Sequence, residues 1–268
     1  MTWQALQGGV LQNLVAALIT FLLGLGLGWL GQRILSKRSA RQLLSLPDGK
    51  VHIVLASPSY LRPGETTSTT NASVPIATIG TIFAYRHIVD LLRRRQPKGK
   101  DSLSVYFSAE FPPALLADNL ILIGFAKTNL ITRDVTKRVP LPVLVDDHIW
   151  HDTITTADYA AVIEAGHITE DYGALIRVVN PYNRNSIVYI IAGSQTYGMK
   201  AAAEFLNNRN LLEITEAYVP ERIYSHIPHF LYPLIAKNGR KRHYEIIVQT
   251  HVKSYFTSEA TRVCSYPL

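Results

Sequence analysis

The sequence predicts an α/β protein in which a single N-terminal membrane helix precedes a layered domain built on a mainly parallel sheet. Three observations lead there. No side chain from Met1 to Gln32 carries a formal charge, and Arg33, Lys37, Arg38 and Arg41 follow at once. Downstream, short apolar runs rich in β-branched residues alternate with segments of helical period, the pattern of strands joined by crossover helices. Turn residues around Pro181 join two of these runs as a hairpin at one side of the sheet.

Composition agrees. The chain has 268 residues, a length that allows about two domains. Its 47% hydrophobic and 18% charged residues exclude wholesale disorder. A mean hydropathy of +0.09 is high for a purely soluble protein and low for a polytopic one, which suits one span attached to a globular body. Against 20 Asp and Glu stand 27 Lys and Arg, a net charge of +7 that favours nucleotides, nucleic acid or acidic lipid as partners. Cys264 is the only cysteine, so an intramolecular disulfide and a cysteine-based zinc cage are excluded. A reducing cytosol fits.

The membrane segment is expected over residues 1–35, with the apolar core Leu14 to Gly31 extended by Val10, Leu11, Ile34 and Leu35. That supplies the ~20 residues needed to cross a ~30 Å hydrocarbon layer. A cleaved signal peptide would begin with basic residues and have a shorter core. With every nearby Lys and Arg on the C-terminal side, the positive-inside rule predicts a single pass through the inner (cytoplasmic) membrane, N-terminus outside and body in the cytoplasm. Asn13, Ala17, Thr20, Gly24, Gly28 and Gly31 share one face of that helix. Gly24 and Gly28 form a GxxxG pair that lets two backbones approach, which points to a homo-oligomer; the alternative is the ordinary abundance of glycine in membrane helices. A ring of such helices, lined by this small and polar face, would enclose a pore.

Residues 36–50 read as a basic juxtamembrane linker, ended by the turn signal Pro47-Asp48-Gly49. Residues 51–210 are the α/β domain. Its expected strands are Val51 to Ala56, Leu103 to Phe107, Asn119 to Gly124, Val143 to Val145, Ala174 to Val179 and Ser186 to Ala192. Helices are expected from Ile76 to Leu92, closed by Arg93-Arg94-Arg95, from about Leu130 to Lys137, and from Gly198 to about Leu206, with a short one opened by Pro112-Pro113. Residues 211–268, with Pro220, Pro228, Pro233 and the strong strand Tyr244 to Val252, read as a β-rich C-terminal extension.

In an open α/β sheet, ligands bind beyond the carboxyl ends of the strands. Three strand ends here have suitable chemistry: Ser57; Gly124 with Lys127, Thr128 and Asn129; and Gly193, Ser194, Gln195, Thr196, Tyr197, Gly198 and Lys200. Glycine permits close backbone approach, free amides at a helix start attract anions, and a hydroxyl or lysine adds a donor. Tyr197 would stack on a base. The plainer reading makes these ordinary strand–helix turns with Thr128 or Asn129 as a helix cap. The P-loop and GxGxxG patterns are not met.

Asp146, Asp147, His148, His151 and Asp152 form the densest set of metal-type ligands, with His148 and His151 on one face if the segment is helical. A polar loop is the alternative. His226 and His229 repeat the spacing around Pro228. No established catalytic set can be assembled, and no cofactor or metal is implied. The basic runs Arg93 to Lys100 and Arg240-Lys241-Arg242 are solvated surface, a lipid-facing patch, or an oligonucleotide-binding patch. Asn71-Ala72-Ser73 is a glycosylation sequon that would stay idle in the cytoplasm.

The stretches LILIGFAKTN (Leu120 to Asn129) and VVNPYNRNSIVYIIAGSQTYGMKAAAEFL (Val178 to Leu206) resemble a Rossmann-like module, in which Phe125 stands where many versions have a second glycine. The fold that this implies is a single transmembrane helix, a Rossmann-like mainly parallel sheet domain and the β-rich extension. The overall plan resembles the membrane-anchored effectors of prokaryotic antiviral signalling, whose cytosolic domains sense cyclic or linear oligonucleotides. On that resemblance the expected function is an oligomeric effector. Its α/β domain would bind an anionic nucleotide or oligonucleotide and so control a transmembrane pore, with membrane lipid as a further partner. An anchored enzyme acting on a nucleotide or sugar phosphate is the second expectation, and a ligand-free scaffold the third.

Overall fold

The structure is a computed structural model that describes residues 44, 46–47, 49–57, 78–95, 103–146, 149–207, 209–210, 213–214, 243–253 and 256–268. In chain order the strands are β1 (Val51–Leu55), β2 (Ser104–Phe107), β3 (Asn119–Ile123), β4 (Val143–Asp146), β5 (Ile149–Asp152), β6 (Asp158–Ala160), β7 (Val162–Glu164), β8 (His167–Asn180), β9 (Asn183–Gly193), β10 (Tyr244–Lys253), β11 (Phe256–Thr257) and β12 (Thr261–Pro267). The helices are α1 (Ile79–Arg95), α2 (Leu130–Thr136) and α3 (Thr196–Phe205), and a 3-10 turn covers Pro113–Leu115.

Four neighbouring strands, in the order β2, β1, β3, β9, run parallel. Every residue of β1 and β3 is buried, because both faces of the sheet are covered there. That double covering is why VHIVL and NLILI are near-continuous apolar runs with no alternation. From β9 outward the pairing is antiparallel, through β8 and β10 to β12, with β7 on β8 and β11 on β10. The β8–β9 hairpin closes at Asn180, whose Oδ1 accepts from the Tyr182 amide at 2.9 Å. Its Nδ2 donates to the Leu116 and Asp118 carbonyls, both at 2.7 Å, and so ties the hairpin to the loop that leads into β3.

The two faces carry different layers. On one, α1 and α3 pack through Ala84, Ile88, Leu92, Ala202 and Phe205 onto Ile53, Ile121, Tyr189 and Ile246. On the other, α2 contributes Val135, and a separate antiparallel sheet, β4–β5–β6, buries Val143, Trp150 and Tyr159 against Leu122, Ile176 and Ile190.

This arrangement corrects the expected fold class. The sheet is a nine-stranded mixed one, only part of it parallel, and a small β-sheet fills much of the face where a doubly wound Rossmann-like fold would set helices. The physical reason lies in residues 143–164, where short strands stand in place of a crossover helix before the long antiparallel strand β8. The expected single-pass placement in the inner membrane is corrected as well: no helix among the described residues is long and apolar enough to cross a membrane. The longest of them, α1, carries Arg86, Asp90 and Arg93 within its 17 residues. The stretch that carried the membrane expectation, residues 1–35 with Asn13, Ala17, Thr20, Gly24, Gly28 and Gly31, lies outside the described residues, as do Lys98, Lys100 and Arg240 to Arg242.

Side-chain hydrogen bonds join the β4–β6 sheet to the main sheet. The Val143 amide of β4 donates to Glu245 Oε2 of β10 at 3.0 Å. Asp152 of β5 accepts from the Tyr266 hydroxyl of β12. The Tyr159 hydroxyl of β6 lies 3.3 Å from Asp152 Oδ2 and 3.5 Å from Cys264 Sγ. Burial alone would raise the Asp152 carboxyl. Bonds from Thr155, Tyr266 and the Ile154 and Thr155 amides outweigh it and hold the group at about 2. Glu245 goes the other way: burial pushes it to about 8, against the pull of the Val143 amide and with a further push from Asp152.

The sign of the resulting pH dependence follows from linkage. Between the ordinary glutamate value of 4.5 and about 8, the folded chain keeps a proton on Glu245 that the unfolded chain releases. Stability is therefore complete below that window and is lost as pH rises through it, by up to about 1.4 kcal/mol per pH unit. Urea unfolding at successive pH values should show this decline in the parent. Glu245→Gln, which cannot ionise, should lose this contribution, so the parent-minus-variant difference falls across the window while the slopes from His243 and Asp171, common to both, cancel.

Candidate functional site

A cleft opens beyond the carboxyl ends of β1, β3 and β9. The chain leaves β1 through α1 to β2 on one side and returns to β3 on the other, so strand order reverses between β1 and β3. That is the topological switch point where open α/β sheets bind ligands. The cavity measures about 210 Å³. Ala56 follows β1, Phe125 to Thr128 follow β3, Gly193 ends β9, and Ser194 to Thr196 lead from it into α3. Thr78 and Thr81 at the start of α1, Met199 of α3 and Trp150 of β5 complete the wall.

Each strand exit has a local cause. Gly124 sits at φ +109, and a Cβ there would come 2.6 Å from Ala56 Cβ, so the turn out of β3 requires glycine. Asn129 then begins α2. Its Oδ1 accepts from the Ile131 and Thr132 amides, both at 3.1 Å. Its Nδ2 donates to the Val54 and Ile123 carbonyls at 3.0 and 3.3 Å, joining the ends of β1 and β3. One buried side chain thus caps a helix and ties two strands. Thr78 caps α1 in a similar way, its Oγ1 accepting from the Thr81 amide at 3.3 Å.

The start of α3 is held by a residue far away in sequence. Gln195, the N-cap, makes no side-chain cap bond. Asp171 of β8 supplies it instead, with Oδ2 accepting from the Gly198 amide at 2.6 Å and Oδ1 from the Gln195 amide at 3.1 Å and the Ser194 hydroxyl at 3.0 Å. Its own neighbour, the Tyr172 amide, donates at 2.8 Å. Burial pushes the Asp171 carboxyl up, and these four donors pull it back. The approach is close enough that a Cβ on Gly198 would overlap the Tyr172 carbonyl, one on Gly173 the Gly198 carbonyl, and one on Gly193 the Met199 amide.

These details sort the residues expected from sequence. Lys127, Thr128, Gly193, Ser194, Gln195 and Thr196 line the one cleft, although the two segments lie far apart along the chain. Gly124, Asn129 and Gly198 build its frame, and their space and amides are taken by the protein itself. Ser57 is buried; its amide donates to the Thr128 carbonyl at 2.9 Å and its Oγ accepts from the Ala109 amide at 3.5 Å. Lys200 bonds Glu204 at 2.8 Å and Thr257 at 2.6 Å, and neither it nor Tyr197 is among the cleft-lining residues. Several of the helix-start amides offered to an anion are therefore engaged: those of Ile131 and Thr132 in α2 by Asn129, and those of Gln195 and Gly198 at α3 by Asp171.

Thr78, Thr81, Trp150 and Met199 complete the wall unforeseen. The Thr78-x-x-Thr81 spacing is a legible cap signal; Trp150 has no local one, since a separate sheet carries it in. The metal-type ligand set weighed against a polar loop does not assemble among its described members. Residues 149–152 are a strand, not a helix, and a strand sends successive side chains to opposite faces. His151 turns outward to Asp158, at 2.6 Å, while Asp152 turns inward to Tyr266. Asp146 ends β4, and Asp147, His148, His226 and His229 lie outside the described residues.

In comparisons with protein-family models, with curated proteins and with solved structures, nothing matches this chain.

The Asp171 geometry makes a quantitative expectation. Asp171→Ala leaves the Gly198 and Gln195 amides and the Ser194 hydroxyl without their acceptor, at a cost of about 3 kcal/mol or more. Asp171→Asn keeps the shape but turns an amide donor toward donors, so it should recover only part of that loss. Chemical unfolding of the two variants against the parent measures both.

Proposed function

We propose that this chain is a ligand-binding protein whose strand-end cleft takes a small anionic ligand of nucleotide type. The observation that carries the reading is the position of the cleft at the β1/β3 switch point, with walls supplied by three parallel strand ends. The lining suits such a ligand. Lys127 brings positive charge, Thr78 and Thr128 bring hydroxyls, and Gln195 an amide. Phe125, half-buried and backed by the buried Trp150 at a ring-centroid distance of 6.2 Å, gives an aromatic side against which a planar base packs.

Size and charge narrow the ligand. A volume of about 210 Å³ is below the roughly 300–1,000 Å³ of pockets that enclose drug-sized molecules. One nucleotide unit is therefore engaged, in part, and an oligonucleotide would enter by a single unit. With amides at the α2 and α3 starts taken by Asn129 and Asp171, Lys127 is the leading partner for the anionic group. The acidic Asp171 directs that group toward the Phe125–Thr128 side of the cleft and away from α3.

Native mass spectrometry of the chain as purified, followed by calorimetric titration with AMP, ATP and a triadenylate, tests the reading. The expected result is a copurified nucleotide, or saturable one-site binding of at least one probe. Lys127→Ala should weaken that binding by about 10–100-fold, the value of one charge-assisted hydrogen bond of ~1.5–3 kcal/mol. If no probe binds and no ligand copurifies, or if Lys127→Ala binds as well as the parent, the reading fails.

A further inference from the structure

Trp150 is the part of the cleft wall that comes from the β4–β6 sheet; the rest of the described lining belongs to the main sheet and its helices. Trp150 is buried, and two residues further along the same strand, on the same inward face, stands Asp152. The position of the wall is thus set by whatever holds β5, and by extension its partner strand β4, against the main sheet.

Two kinds of contact do that. Val143, Trp150 and Tyr159 bury apolar surface on the main sheet. Between them runs a polar seam: Glu245 on the Val143 amide, Asp152 on the Tyr266 hydroxyl, and Tyr159 between Asp152 and Cys264. The titratable groups facing Glu245 across this seam are Asp152 from β5, Tyr159 from β6, and Cys264 and Tyr266 from β12. The described bonding partners of the two carboxylates are amides and hydroxyls, none of them basic. A neutral Glu245 sits beside an ionised Asp152 without repulsion, whereas an ionised Glu245 places two carboxylates together in a desolvated layer.

We propose that the Glu245–Val143 and Asp152–Tyr266 bonds form a clasp on the β4–β6 sheet that stays closed while Glu245 is neutral, and that an ionised Glu245, although it accepts more strongly from the Val143 amide, is driven from the desolvated layer by repulsion from Asp152 and so releases the Trp150 wall of the cleft. Glu245 is then a positioning residue for Trp150. The consequence for a ligand rests on the cleft reading above; the movement of the wall does not, because it is observable without ligand. Release is expected as pH rises toward about 8, where the buried carboxyl ionises. The apolar contacts of Val143 and Tyr159 remain, so the layer loosens without leaving the main sheet.

The test uses the full chain with Trp3→Phe and Trp29→Phe, which leaves Trp150 as the only tryptophan. Acrylamide quenching of its fluorescence is followed from pH 5 to pH 9. The expected result is a rise in the quenching constant of roughly threefold or more across that range, the signature of local opening below global unfolding. Glu245→Gln in the same background should stay protected at pH 9. Tyr266→Phe, which removes one clasp bond and keeps the ring, should shift the release to lower pH; it serves independently should Glu245→Gln not fold. Flat quenching in the parent, or an unchanged transition in both variants, overturns the proposal. AMP titration at pH 6 and pH 9 separates the two readings. Trp150 release with no AMP binding at either pH supports the clasp and counts against the cleft as an AMP site. AMP binding with a pH-insensitive Trp150 does the reverse.

Discussion

The buried carboxylate of Asp171 is the contact on which the geometry of the strand-end region depends. It reaches from β8 across the end of β9 and accepts from the backbone at Gln195 and Gly198 and from the Ser194 hydroxyl. A charge that has lost its water needs several donors, and the unpaired amides at a helix start supply them in a fixed direction. Helix α3 must therefore begin where Asp171 places it. Gly173, Gly193 and Gly198 let the backbones come close enough for those bonds to form. With α3 so held, Thr196 and Met199 take their places in the cleft wall, and the Gly80 region of α1 packs against Thr196.

Asn129 does for β1 and β3 what Asp171 does for β8 and β9. A single amide satisfies two helix-start amides and two strand-end carbonyls in the interior, where each unmet group would cost about 1–3 kcal/mol. The two residues together explain why the strand ends form a fixed frame around an open space. They also change what that space can hold. Part of the anion-binding capacity usual at helix starts is taken up within the fold, at the amides of Ile131, Thr132, Gln195 and Gly198.

The layer opposite α1 and α3 differs in kind. A sheet of three short strands is seated there by three apolar side chains and a line of tyrosine, thiol and carboxyl groups. Apolar burial contributes about 1.5–3 kcal/mol per large side chain and is indifferent to pH. The carboxyl contacts are not, and Glu245 and Asp152 respond in opposite directions because one is short of donors and the other is surrounded by them. Stability and wall position are thereby linked through the same few bonds.

Several elements were legible in the sequence because their causes are local. The apolar runs 51–55 and 119–123 are strands since both faces of each are buried, and Asn-Pro-Tyr-Asn turns the chain between β8 and β9 since Asn180 bonds its own turn. The glycine-bearing segments after β3 and β9 were recognisable as strand ends, and both do meet at one cleft. What they do there was not legible. Whether a glycine makes room for a ligand or for another backbone depends on Gly173 and Tyr172, which only the β8–β9 register brings alongside. The helical face weighed for His148 and His151 does not form at residues 149–152, a strand whose Trp150 and Asp152 both face inward, Asp152 onto Tyr266 more than a hundred positions away. Residues 174–192 by themselves determined the hairpin and its apolar faces. The tertiary structure alone decided the mixed sheet, the β4–β6 layer and the capping of α3, because these bring together residues distant in the chain, such as Asp171 with Gly198 and Asp152 with Tyr266.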